Sequence, residues 1–137
     1  MSVECVDTNI LIYVFDSASP IKHKIAGELL TSLNQSSKGA ISIQVLTELY
    51  STATRKLRHP IERSQSALSL FRNWRIHSTS HADLLLASQL QQQHQISWRD
   101  ALIVNSAQQL NASILWTEDL NHNQHIGNLT IRNPLLD

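Results

Sequence analysis

Cysteine is almost absent from this chain: Cys5 is the single one among 137 residues. No intrachain disulfide can form, and a thiolate cluster for zinc or iron is excluded. Cys5 itself, within Val3-Glu4-Cys5-Val6, reads as a small core residue of a buried strand. Glycine and proline are also scarce, at three each, which argues against a turn-rich all-β sandwich. Long hydrophobic runs are missing. The apolar stretch Ile10–Phe15 is too short to span a bilayer. The N-terminus shows no basic leader, so a soluble, cytoplasmic protein without membrane association is expected. Neither charge is in excess, with 11 Lys+Arg against 11 Asp+Glu. Any nucleic-acid contact must then come from a local basic patch, not from overall charge. There is no linker-like stretch and no repeat, and the length fits one domain over residues 1–137.

What is present is an alternation of short apolar runs with amphipathic segments. Val3–Val6 is a candidate strand, and the Ile10–Phe15 run fits either strand or helix because it shows no clear period. Ser19-Pro20 marks a helix start, after which Ile21, Ile25, Leu29 and Leu33 recur every four residues on one face. Gly39–Ile43 reads as a second strand, followed by a helix marked by Val45, Leu46, Leu49, Ala53 and Leu57. Pro60 opens the next helix, with Ile61, Ala67, Leu68 and Phe71 inward. Arg75–Ser78 is a short third strand. Two helices follow, about Ala82–Gln93 behind the cap Ser80, and about Trp98–Leu110. Ser113–Thr117 is the next strand, and Leu129–Arg132 a last, edge strand. This order predicts an α/β domain in three layers, a mostly parallel sheet flanked by helices.

Open parallel sheets carry their sites beyond the carboxyl ends of the strands. Asp7 ends the first strand and Asp119 follows Ser113–Thr117, so two distant segments bring acids to one edge. Glu48 lies about one turn into the helix after Gly39–Ile43, near the same edge. Asp100 lies in the first turn of the helix before the Asp119 strand. That helix is expected to start at the opposite edge, so Asp100 joins the others only if its N-terminus tips toward them. Each acid also has a plain reading: an Asx turn at Asp7, a solvated helix residue at Glu48, a capping box Ser97-x-x-Asp100, and an acidic loop at Glu118-Asp119.

The same residues carry a resemblance. Val6-Asp7-Thr8-Asn9-Ile10-Leu11-Ile12-Tyr13 resembles the first motif of the PIN-domain family. Ser42-Ile43-Gln44-Val45-Leu46-Thr47-Glu48-Leu49-Tyr50 resembles its second, Ser97-Trp98-Arg99-Asp100-Ala101-Leu102-Ile103 its third, and Leu115-Trp116-Thr117-Glu118-Asp119-Leu120 its fourth. All four occur in family order. Within the family the chain is most like the VapC-type toxins of bacterial toxin–antitoxin pairs, which the segment from Asn121-His122-Asn123-Gln124 to Asn133-Pro134 also resembles. Arg99, directly before Asp100, departs from the aromatic or small residue common there.

The resemblance implies a divalent-metal-dependent endoribonuclease. Its metal, Mg²⁺ or Mn²⁺, would suit hard oxygen ligands. Asp7 and Asp100 are implied as direct ligands, and Glu48 and Asp119 as binding through water or completing a second position. Thr8, Asn9, Thr117 and Glu118 would orient the carboxylates, although Asn9 also fits a turn. Hydrolysis would be in line and leave a 5′-phosphate. RNA phosphates would meet Arg99 and the group Arg55, Lys56, Arg58 and His59, which equally suit the end of the Glu48 helix as partners of its dipole. Trp98 and Trp116 read as core packing before base stacking. His122 and His125, three apart in a polar loop, read as solvated residues, not ligands. A cognate antitoxin and a homodimer are the implied partners, with Leu68, Phe71 and Trp74 read as core before interface. The competing readings are a housekeeping RNA-processing nuclease, an inactive scaffold binding protein or RNA, and an unrelated nucleotide-binding α/β domain. The last lacks its glycine-rich phosphate loop.

Overall fold

The computed structural model describes residues 2–136. The chain runs β1 (Val3–Val6), α1 (Thr8–Phe15), α2 (Pro20–Ser36), β2 (Gly39–Ser42), α3 (Ile43–Arg55), α4 (Ile61–Ser69), β3 (Arg75–His77), α5 (His81–His94), α6 (Trp98–Gln109), β4 (Ala112–Trp116), β5 (His125–Ile126) and β6 (Leu129–Arg132). The strands form one sheet in the order β3-β2-β1-β4-β6-β5. Every pairing is parallel except β5 with β6. The expected α/β architecture is thus present. Among the described residues no helix is long and apolar enough to cross a membrane.

The ambiguous apolar run is a helix. Asp7 caps it, its carboxylate accepting from the Thr8 N–H at 2.7 Å. Ile10 and Leu11 are fully buried, and Ile12, Tyr13, Val14 and Phe15 also pack on the core. A helix covered on nearly every side carries no amphipathic period, which is why the run shows none. Two residues placed on inward faces lie outside: Ile21 and Ile61, each next to a helix-opening proline, are exposed.

Leu129–Arg132 is not the edge strand. It pairs with β4 on one side and with β5 on the other, and His125–Ile126, read from the sequence as polar loop, supplies the edge. Two residues are too few to show a strand period, and the pairing is enforced by a tight reversal with Gly127 at φ +61°. Phe71 and Trp74 are core residues, meeting edge to face at 4.9 Å between ring centroids. Trp74 sits so close to β2 that a Cβ on Gly39 would collide with its ring. Only glycine permits that approach. Leu68 packs half-buried against the same cluster.

The connection from β3 to β4 decides where Asp100 goes. The start of α5 is tied to the later turns of α6, with Asn105 Nδ2 donating to Asp83 Oδ1 at 3.0 Å. The two helices therefore form an antiparallel pair, joined by the short Gln95–Ser97 link. After α6 the chain turns at Asn111, φ 55°, straight into β4. The start of β4 is at the amino edge, so α6 ends there. A helix of 12 residues is about 18 Å long, enough to cross the sheet. Its first turn consequently lies over the carboxyl edge. The expectation that this helix starts opposite the acids is overturned: a helix feeding a parallel strand ends at that strand's beginning, so its own beginning lies at the far, carboxyl edge.

Candidate active site

The registers of the central strands build the site. Val6 of β1 pairs with Trp116 of β4, so Asp7 and Thr117 leave the two strands side by side. The Asp7 N–H donates to the Trp116 carbonyl at 2.9 Å and the Thr117 N–H to the Arg132 carbonyl at 2.9 Å. Asp7 is 1% exposed and Thr117 is completely buried. Thr117 Oγ1 donates to Asp7 Oδ2 at 2.8 Å and accepts from the Asp119 N–H at 3.1 Å. One hydroxyl therefore fixes the first and last acids together.

The other two acids arrive on helices. Ser42 caps α3, its hydroxyl accepting from the Val45 N–H at 3.1 Å. That sets the face on which Glu48 looks toward α1, where Thr8 Oγ1 donates to Glu48 Oε1 at 2.6 Å. Ser97 caps α6 and accepts from the Asp100 N–H at 3.0 Å. The expected capping serine is thus present, and it leaves the Asp100 carboxylate for the site. Carboxylate oxygens of Asp7, Asp100 and Asp119 lie within 4.8 Å of one another, graded from buried Asp7 to exposed Asp119. Glu48 is not in that trio. It reaches the cluster through Thr8 and Arg99.

Arg99 stands at the centre. Its Nη2 donates to Asp7 Oδ1 at 2.8 Å and to Glu48 Oε1 at 2.8 Å, its Nε to Glu48 Oε2 at 2.9 Å, and its Nη1 to Asp100 Oδ1 at 3.0 Å. Nη1 is also 3.7 Å from Asp119 Oδ2. Burial would raise the Glu48 carboxyl, but hydrogen bonds from Arg99 and Thr8 outweigh it and hold it below the usual range. Burial works against the Arg99 charge, and its bonds to Glu48 and Asp7 override that and hold it protonated. Asp119 goes the other way: burial, then repulsion from Asp7 and Asp100, raises its carboxyl. Repulsion within the crowded cluster thus adds to the effect of burial on Asp119.

Other sequence candidates separate cleanly. Asn9 Nδ2 points at Thr117 Oγ1 at 3.5 Å, while its Oδ1 is buried without a hydrogen-bond partner. Glu118 turns away from the trio and accepts from the Tyr13 hydroxyl at 2.5 Å. That phenol, raised by burial and by Glu118, was not foreseen. Its one signal was its place on the helix opened by Asp7. Arg55, Lys56 and Arg58 are exposed at the far end of α3 from its cap. Trp116 is engaged, donating from Nε1 to Glu4 Oε1 at 2.8 Å, whereas Trp98 is 40% exposed beside Arg99. The core reading of Trp98 is therefore wrong, because the first turn of α6 overhangs the sheet edge. His122 and His125 each hold local structure. His122 Nδ1 accepts from the Asn133 N–H at 2.9 Å, and His125 Nδ1 is 3.1 Å from Thr130 Oγ1.

The residues fit a hard divalent cation. Three carboxylates converge from separate segments, and an orphaned amide oxygen of Asn9 lies beside them with no donor of its own. The set is oxygen-only, which suits Mg²⁺ or Mn²⁺ over softer metals.

A sequence profile of the PIN domain matches residues 5–126. No curated protein matches. Among solved structures, a chain of a toxin–antitoxin complex from Klebsiella pneumoniae is similar, with 26% identity, a TM-score of 0.71 and coverage of 96% of this chain and 97% of that one. VapBC2 from Rickettsia felis, bound to a DNA fragment from its promoter, is 24% identical over 96% and 98% with a TM-score of 0.66. VapC20 of Mycobacterium tuberculosis, a toxin that cleaves the sarcin–ricin loop, is 19% identical over 85% and 91% with a TM-score of 0.64. The last two bear on fold alone.

Proposed function

The chain belongs to the PIN-domain family, and on that premise we propose that it is a divalent-metal-dependent endoribonuclease, the toxin of a toxin–antitoxin pair. The observation that carries this reading is the convergence of Asp7, Asp100 and Asp119, carboxylate oxygens within 4.8 Å, at the carboxyl edge of the sheet. A nuclease needs charge neutralisation and an activated water at one phosphate, and a divalent ion held by these acids would supply both.

The chain's own groups divide the rest. Thr117 and the Thr8 N–H hold Asp7 from two directions, so the most buried ligand is also the most rigid. Ser97 anchors the helix start that presents Asp100. Asp119, the most exposed of the three, faces the side where water and substrate enter. Glu48 sits behind Arg99, placed to act through water or at a second position. Trp98, exposed at the mouth, offers a face for a base. Arg55, Lys56 and Arg58 would meet phosphates further along the strand. A cognate antitoxin is the proposed partner, supported by the likeness to a chain of a toxin–antitoxin complex. The homodimer belongs to the same proposal.

The test is RNA cleavage by the purified chain, free of any partner, with Mg²⁺, with Mn²⁺ and with EDTA, beside Asp7→Asn. Cleavage is expected with either metal and is expected to disappear with EDTA and in the variant. Cleavage that survives both treatments would overturn the carboxylate–metal mechanism. A wild type that cuts no RNA under any condition would leave a binding scaffold instead.

A further inference from the structure

The guanidinium of Arg99 lies where the carboxylates converge, and its fit there is specific. All three of its nitrogens are used, and its ion pairs reach Asp7, Glu48, Asp100 and Asp119, from 2.8 Å to 3.7 Å. A planar fork of N–H donors satisfies several carboxylates at once in a way a point charge does not. It brings one positive charge to a cluster that would otherwise hold four negative ones without compensation.

A divalent ion bound by Asp7, Asp100 and Asp119 needs the same oxygens. Asp7 Oδ1 and Asp100 Oδ1 both accept from Arg99. Ion and guanidinium in place together would share the same oxygens, where like charges repel strongly in a partly buried setting. One of them has to leave. Arg99 has a way out, because its side chain is 34% exposed, on the first turn of α6 next to exposed Trp98. It can swing to solvent without moving the sheet or the helix. Asp7, 2% exposed in its side chain, cannot follow it.

We propose that Arg99 is an internal counter-ion that occupies the metal position in the metal-free protein, and that a divalent cation binds by displacing it. This rests on the metal-dependent reading above and adds a consequence to it. The protein is folded with its acids partly neutralised without metal, and its apparent metal affinity is lowered by the fraction of molecules with Arg99 in place. The site then loads above a threshold of free Mg²⁺ or Mn²⁺, with the displaced guanidinium left at the mouth of the site.

Two measurements on the intact chain test this. Mn²⁺ and Mg²⁺ binding is measured calorimetrically for wild type and Arg99→Gln, and the variant is expected to bind at least about tenfold more tightly, equivalent to about 1.4 kcal/mol. The ¹⁵N–¹H signal of the Arg99 Nε, identified by its loss in the variant, is followed in wild type as Mg²⁺ is added. It is expected to be sharp and hydrogen-bonded without metal, and to shift or broaden in step with binding. Metal binding that leaves the Nε signal unchanged would overturn displacement while leaving the metal site intact. A variant that binds no more tightly than wild type would overturn it too. If neither protein binds metal, the underlying metal reading fails and the inference goes with it. Should Arg99→Gln not fold, the wild-type spectrum decides alone, with the signal assigned through the backbone of Arg99.

Discussion

Both oxygens of Asp7 are engaged inside the protein. Oδ1 accepts from the Thr8 N–H and from Arg99 Nη2, and Oδ2 from Thr117 Oγ1. Of these donors Thr117 has the least freedom, since it is fully buried and also anchors the Asp119 N–H. Thr117→Val keeps the shape and removes the hydroxyl. We expect metal affinity or cleavage to fall roughly 10–100-fold, the usual cost of losing an outer partner of a ligand. A stability loss of about 1–3 kcal/mol should accompany it, because buried Asp7 Oδ2 keeps only the long 3.5 Å bond from Arg99 Nη1. Titration with Mn²⁺ and urea unfolding measure the two parts, and unchanged values in both would show that the hydroxyl is dispensable. At this scale much was legible beforehand. Asp7 and Asp119 stood at strand ends, and Thr8 and Thr117 beside them. The place of Arg99 was not legible, because adjacency to Asp100 along the chain says nothing of the three acids it also meets, Asp7, Glu48 and Asp119.

The helices that carry Glu48 and Asp100 depend on their first turns. Ser97 accepts from the Asp100 N–H, so the cap fixes the residue that bears the ligand. Ser97→Ala is expected to cost about 1 kcal/mol in urea unfolding, as lost N-caps do. It should lower cleavage by more than that stability loss explains, through a looser Asp100. A variant that loses stability alone would place Asp100 under other control. At the other end of the α5–α6 pair, Asp83 is buried and accepts from the Ser80 N–H at 2.7 Å and from Asn105 Nδ2 at 3.0 Å, with His77 Nε2 3.1 Å away. The Ser80 N–H, followed by Asn105, lowers its carboxyl from 3.8 to about 2. A carboxyl lowered by folding stabilises the native state above its unfolded value, and that stability is lost as pH falls from about 4 toward 2. Asp83→Asn should therefore be less stable than wild type at neutral pH and should lose less between pH 4 and pH 2. Denaturation at a series of pH values tests this, and parallel curves for the two proteins would refute it. The capping box was readable only as far as its serine. Asn105, which donates to Asp83, lies 22 residues beyond it, at no spacing a helix period reveals.

For the molecule as a whole, the central strand gives the simplest probe. Cys5 lies in β1 between β2 and β4, buried, with its thiol pushed up to about 12 by that burial. Reaction with a thiol reagent should be negligible in the native protein and should rise with denaturant along the global unfolding curve. Fast labelling in native buffer would mean that β1 opens locally. The sequence by itself determined the layer architecture, the mostly parallel sheet, and the meeting of Asp7 and Asp119 at one edge. Those follow from apolar runs and from what ends them, which are local and periodic signals. Only the tertiary structure decided that Asp100 is at that edge, that Leu129–Arg132 is interior with β5 outside it, and that Arg99 joins all four carboxylates. Each of these depends on which way an element runs across the sheet and on which distant segment lies next to it. The spacing of residues along the chain does not encode that directly. It is set by chain reversals such as Asn111 and Gly127, and by packing that exists only once the whole sheet has formed.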